Sequence, residues 1–386
     1  MAVTLALTPA ASQEYPHADE AIGTVREVYD GRLYPDVQVN TFRNIDRLFP
    51  TRVVRAGEPR ELPVESMDLA DFRFAIGNKA YDLYDVIALN RVTGMLVVKD
   101  GSIRFEKYFM GNGPETRWMS MSVVKSMTAT LIGAAIQDGH IDSIDDPIVK
   151  YLPRFEGSAY DGVTVRHLLQ MASGVKWNET YTDPASDRRA MLEAQIGQQP
   201  GEILDLMASL PRAAEPGTLW NYSTGETHVA GALVQAAVGK PVADYLSEKI
   251  WIPAGMEADA NWWLESPDGL EVGGSGLSAT LRDYARFGLF LLEDGVADGQ
   301  RILPEGWMAE AGSRKVVSGR EVEYGYMLWP LHGRSYAAIG IFGQFVFVDP
   351  ERDLVVAMWG AQPKPVGKEG VDEYVFFEAL SAYFDD

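Results

Sequence analysis

The sequence predicts an α/β (α+β) fold: an antiparallel sheet flanked by helices, carrying an inserted and mostly helical domain. Two hairpins and the stretch between them predict it. "GMLVVKDGSIRFEKYFM", from Gly94, sets two apolar runs on either side of "KDGS", a hairpin signal. "FGQFVFVDPERDLVVAMWG", near the C-terminus, repeats the arrangement around "DPERD". The stretch between them reads as helix, so one sheet is assembled from both ends of the chain.

Residues 1–85 have scattered Pro and Arg and no strong period, and read as an N-terminal extension packing on the α/β domain. Residues 86–125 and 263–386 form that domain, and 126–262 the mostly helical one. Ser122 to Asp138 is a long helix stopped by Gly139. "TVRHLLQMASG" opens at a Thr cap, Thr164, and ends at Gly174; "THVAGALVQAAVG" and "PVADYLSEKIW" follow. Beyond "GGSGLSAT", "LRDYARFGLFLLEDG" is amphipathic, and Val371 to Phe384 again has helical spacing.

Composition excludes several functions. The 386 residues are 46% hydrophobic and 11% aromatic, as in ordinary folded proteins. With 34 basic against 55 acidic side chains the net charge is −21. Such a surface repels phosphate backbones and anionic lipids, so no nucleic acid and no membrane partner is expected. There is no cysteine, which removes thiol catalysis, disulfides and thiolate zinc sites. "MAVTLALTPAAS" lacks the charged start of a secretory signal, and no run is long enough to span a bilayer. A cytoplasmic protein is expected, and a homodimer is compatible with the sequence.

The chemistry is sought among hydrolytic arrangements. No Gly-x-Ser-x-Gly elbow occurs. The five histidines, His17, His140, His167, His228 and His332, show no metal-ligand spacing and give a Ser-His-Asp triad little support. Serine can instead be activated by lysine. Ser122 and Lys125 lie three apart, on one helix face. Burial lowers a lysine's pKa and lets it accept a proton near neutrality. The helix N-terminus adds N–H groups where an oxyanion forms. Ser-x-x-Lys is expected about once by chance in a chain this size, so the pair alone leaves Ser122 equally fit as an N-cap.

The wider context is more specific. "MSVVKSMTATLIGAAIQDGHIDSIDDPIVKYLP" resembles the active-site helix of the serine β-lactamase and penicillin-binding-protein superfamily, in its class C-like esterase and amidase branch. Through "MSVVKS", "WNETYTDPASD", "GGSGLSATLRDYARFG" and "AIGIFGQ" the chain looks most like the 6-aminohexanoate-dimer hydrolases, over most of residues 95 to 360. The resemblance implies a β-lactamase/transpeptidase-like fold, no metal, no cofactor, and a small ester or amide as substrate. It makes Ser122 the nucleophile and Lys125 its base. The family's Tyr-x-Asn element falls on "GTLWNYSTGETHVAG", giving Tyr222 as proton relay and Thr224 where Asn is usual. The Lys-Thr-Gly triplet falls on Ala338-Ile339-Gly340, without lysine or threonine. Backbone N–H groups of Ser122 and Ile341 would then hold the oxyanion, Gly340 lining the site. In the other phase, Ile341-Phe342-Gly343, Gln344 is the donor.

The same resemblance carries help for an amide leaving group to Tyr181 and places Trp329 on the acyl-pocket wall. The acidic residue that receives an amine end would fall at Met191 or Leu192, or with a gap at Asp187. The implied activity is hydrolysis of carboxylic esters or linear amides through an acyl-enzyme. A DD-peptidase or β-lactamase is the enzymatic alternative, and a catalytically silent scaffold of the same fold the non-enzymatic one.

Overall fold

A computed structural model describes residues 15–367 and 370–385; the reading of "MAVTLALTPAAS" falls outside them. Both predicted hairpins form. Strands β1 (Val92–Lys99) and β2 (Ser102–Tyr108) turn through Asp100 and Gly101, both at positive φ (52° and 74°), as a two-residue turn of this hand requires. Strands β3 (Trp329–Pro330), β4 (Tyr336–Gly340), β5 (Gln344–Asp349) and β6 (Leu354–Gly360) come from the C-terminal part. They join the first hairpin in the order β3-β4-β5-β6-β1-β2, every neighbour antiparallel. The closing seam is β6 on β1, with Val356 opposite Val97.

Each face of this sheet is buried under helix. Helices α1 (Val123–Gln137) and α3 (Leu281–Leu292) cover one face. Gly288 of α3 lies so close that a Cβ there would sit 2.5 Å from Val355. Helix α4 (Glu373–Tyr383), capped by Asp372, covers the other. Its Phe377 stacks on Phe347 with ring centres 4.8 Å apart.

Between β2 and β3 lie the helices Val165–Leu169, Asp187–Gly197, Glu202–Ser209, α2 (Thr224–Val238) and Val242–Leu246. The helix opened by Thr164 is shorter than its sequence pattern. It ends at Leu169, and the chain then turns through Met171 (φ 51°) and Gly174 (φ 78°). Gly174 abuts the backbone at Ala214, where a Cβ would lie 2.1 Å from the Ala214 oxygen.

A second, four-stranded sheet runs in the order Thr51–Val54, Ala260–Trp263, Leu277–Ala279, Trp118–Met119. It draws part of the N-terminal region into the core and ends one residue before Ser120, where α1 is about to begin. Ser120 N–H donates to the Leu277 carbonyl (2.7 Å), and Leu277 N–H donates to Ser120 Oγ (3.2 Å). Helix α1 is buried on every side from Val123 to Ala135, so its polar side chains need internal partners. Ser126 donates to the Met327 carbonyl (2.6 Å), Thr128 to that of Gly273 (2.8 Å) and Thr130 to that of Ser126 (2.6 Å). Among the described residues no helix is long and apolar enough to cross a membrane.

Candidate active site

The N-terminus of α1 carries the first two candidate residues. Met121 has φ 41°, a left-handed conformation that side chains with a Cβ rarely adopt. Ser122 then occupies the N-cap position without making a side-chain capping bond. Its Oγ accepts instead from Lys125 Nζ at 2.9 Å, and the same Nζ donates to the Gly274 carbonyl at 2.7 Å. Lys125 is 1% exposed. Burial lowers its ammonium from the ordinary 10.5 to about 7; the Glu179 carboxylate opposes that shift, and the Arg188 guanidinium adds to it. Near neutrality a large fraction of Lys125 is therefore uncharged and able to accept a proton.

Tyr222 stands over this pair, with Lys125 Nζ 5.3 Å from its ring centre. Burial, and then Glu179, push its phenol well above the ordinary range, while the nearby Ser122 hydroxyl works against the shift. The phenol therefore keeps its proton and can donate it. Trp329 stacks on the Tyr222 ring at 5.8 Å, and Tyr324 meets Trp329 edge-on at 4.8 Å.

Gly340, the last residue of β4, faces the helix start. A Cβ there would lie 2.6 Å from the Ser120 oxygen and 3.1 Å from Ser122 N. Only glycine lets the strand end come so close. Ile341, Phe342 and Gly343 form the turn into β5, and Gln344 pairs with Gly340 across the ladder. The Gln344 side chain points into the core, accepting from Trp118 Nε1 (2.9 Å) and donating to the Gly360 carbonyl (2.8 Å).

One cleft of about 1070 Å³ is lined by Ser122, Tyr181, Tyr222, Trp329, Gly340 and Ile341 together, with Lys125 behind Ser122. None of the five histidines lines it. Met191 and Leu192 are core residues, and Asp187 accepts from Asn178 N–H (2.8 Å) and does not line the cleft. Among the described residues no group of three or more His, Asp or Glu could hold a metal ion.

Two participants escaped the sequence reading. The first is the Gly274 carbonyl, which steadies Lys125. A Cβ at Gly274 would lie 2.8 Å from Thr224 Cγ2 and 3.2 Å from Lys125 Nζ, so the "GG" of "GGSG" is a seam between α1 and α2. The second is Glu179, which also lines the cleft. Its Oε2 accepts from Trp177 Nε1 (2.5 Å) and Thr224 N–H (2.9 Å), and its Oε1 accepts from the Thr224 hydroxyl. Thr224 sits where the Tyr-x-Asn pattern has its amide.

The chain as a whole has known relatives. The beta-lactamase family model matches residues 89–380. The chain belongs to the beta-lactamase family. It is 29% identical over 341 residues to the 6-aminohexanoate-dimer hydrolase of Paenarthrobacter ureafaciens, covering 84% of this chain and 85% of that one. Esterase EstB of Burkholderia gladioli is 29% identical over 150 residues, 37% of this chain and 38% of that enzyme. In fold, this member of the beta-lactamase family is similar to a Bacillus anthracis structure assigned to the 6-aminohexanoate-dimer hydrolases (TM-score 0.80, 22% identity, 89% of this chain and 92% of that one). It is also similar to a family VIII carboxylesterase (TM-score 0.59, 19% identity, 75% and 91%). Esterases and amidases thus neighbour this chain within the family.

Proposed function

We propose that the chain is a serine hydrolase of Ser-Lys-Tyr type that cleaves carboxylic esters and linear amides, of the 6-aminohexanoate-oligomer kind, through an acyl-enzyme on Ser122. The observation that carries this is the 2.9 Å contact of Lys125 Nζ with Ser122 Oγ inside a buried helix start. Ser122 Oγ attacks the carbonyl carbon while its proton passes to neutral Lys125. The N–H groups of Ser122 and Ile341 hold the oxyanion; the approach of Gly340 to Ser122 N supports Ile341 over Gln344 as the second donor. As the tetrahedral intermediate collapses, Tyr222 gives its proton to the leaving oxygen or nitrogen and is reprotonated from Lys125. Tyr181 assists when the leaving group is an amine. Water then attacks the acyl carbonyl by the same path and releases the acid.

A β-lactam finds less here. Its carboxylate would find no lysine or threonine at Ala338 and Ile339, and Ile339 lines the cleft with the Glu179 carboxylate, under a net charge of −21. Turnover of p-nitrophenyl butyrate, 6-aminohexanoate dimer and nitrocefin by wild type, Ser122→Ala and Lys125→Ala tests the assignment. The ester is expected to be cleaved, with both variants slower by about 10³-fold or more. One fluorophosphonate adduct should appear by intact mass in wild type and none in Ser122→Ala. Ester turnover surviving in Ser122→Ala would overturn the mechanism, and nitrocefin as the preferred substrate would overturn the substrate class.

A further inference from the structure

Thr224 departs from the amide expected at its place, and its surroundings show what the departure accomplishes. Its backbone N–H and its hydroxyl both end on Glu179, so helix α2 grips that carboxylate with its first residue. Trp177 Nε1 holds the same carboxylate from the other side. Glu179 is two residues before Tyr181 in the loop that borders the cleft, and Thr224 is two residues after Tyr222. One clasp therefore docks the Tyr181 loop onto the segment that carries Tyr222. All three bonds to Glu179 come from uncharged donors. Its side chain lines the cleft, and Thr224 and Lys125 Nζ both crowd the space at Gly274.

Resting on the Ser-Lys-Tyr reading, we propose that Glu179 is a positioning residue of this site: clasped by Thr224 and Trp177, it fixes the Tyr181 loop against Tyr222 and sets its carboxylate in the wall of the cleft that Ser122 and Lys125 serve. The carboxylate acts on Lys125 from α1, Tyr222 from the α2 approach, Tyr181 from its own loop and Tyr324 ahead of β3, and Arg188 from the helix Asp187–Gly197 acts on the first three in the opposite sense. Arg188 is buried, with its guanidinium 4.3 Å from the Tyr29 ring centre and donating to the Tyr29 hydroxyl. The carboxylate favours the protonated form of Lys125 and opposes the burial that strips it.

The test separates charge from clasp. Glu179→Gln keeps the shape and removes the charge, so Lys125 should lose its proton more easily. The acid limb of kcat/KM for p-nitrophenyl butyrate should move to lower pH by about 0.5 unit or more. Thr224→Val keeps the carboxylate and removes only the hydroxyl bond of the clasp, and should depress amide turnover about tenfold more than ester turnover, with Thr224→Ser restoring the ratio. An acid limb in Glu179→Gln that superimposes on wild type would overturn the electrostatic role. If that variant does not fold, an unchanged amide-to-ester ratio in folded Thr224→Val overturns the proposal by itself. Activity persisting in Ser122→Ala would instead mark a failure of the underlying mechanism.

Discussion

Lys125 is buried as deeply as the aliphatic side chains around it, and that burial has a cost the rest of the fold must carry. Its two hydrogen bonds go to neutral oxygens, Ser122 Oγ and the Gly274 carbonyl, which do not replace the hydration of an ammonium. Lys125→Met should therefore abolish activity and stabilise the protein, by about 1–3 kcal/mol or a melting temperature raised about 2–5 °C. The pH dependence fixes the sign. The folded pKa is about 7 and the ordinary value 10.5, so between these values the unfolded chain binds more protons and wild-type stability rises with pH. The variant's advantage should be greatest near pH 6 and shrink toward pH 10. Calorimetry showing Lys125→Met less stable than wild type at pH 6 would contradict this. The Ser122–Lys125 pairing was legible in advance because three positions on a helix bring two side chains together whatever the rest of the fold does, and the resemblance of the surrounding blocks singled it out from a chance pair. Glu179 was not, because one acid in a polar loop looks like any solvated charge, and no sequence pattern marks the Gly274 carbonyl.

Among elements, the decisive junction is the end of β4 against the start of α1. Strand and helix belong to segments more than 200 residues apart in the chain, yet their backbones approach until a single methyl would not fit. Gly340→Ala would drive its Cβ into the Ser120 oxygen and Ser122 N, so strand end and helix start must separate. The predicted loss is about 10²-fold in kcat, with KM changed less, because the oxyanion donors move from where charge develops. Folding should survive, since β4 keeps its pairing with β5. A Gly340→Ala enzyme with wild-type kcat for p-nitrophenyl butyrate would rule out this junction as half of the oxyanion site. The hairpins and helices were readable because local signals specify them: Asp100-Gly101 turns one hairpin, and Thr164, Ser223, Thr280 and Asp372 cap four helices. The four-stranded sheet was not. Its strands are two to four residues long, and Thr51–Val54 finds its partner at Ala260–Trp263. Too few residues alternate to set a period, and only tertiary packing selects the pairing.

At the scale of the whole molecule, acidity and burial act on stability together. The net charge of −21 makes the compact state repel itself more as pH rises, an effect that salt screens. Two acids inside the protein add a contribution that salt screens much less. Glu226, in the helix that follows Tyr222, is raised from 4.5 to about 8, by burial above all, against hydrogen bonds from Ser173; only one of its oxygens has a partner. Asp283, in the first turn of α3, is raised by burial from 3.8 to about 6. A carboxyl whose folded pKa is raised stabilises fully below its unfolded value and loses that stabilisation as pH rises through the folded one. Glu226 should therefore make the fold progressively less stable from about pH 4.5 to 8, and Lys125 opposes this only above about pH 7. Glu226→Gln deletes the first of these slopes and leaves the second, together with nearly all of the surface charge. At about 0.15 M salt its melting temperature should lie at or below that of wild type at pH 5 and a few degrees above it at pH 9. The two curves should cross between. Parallel curves over pH 5–9 would mean that Glu226 adds no slope of its own, and that the remaining buried groups and surface repulsion govern how this acidic molecule loses its fold.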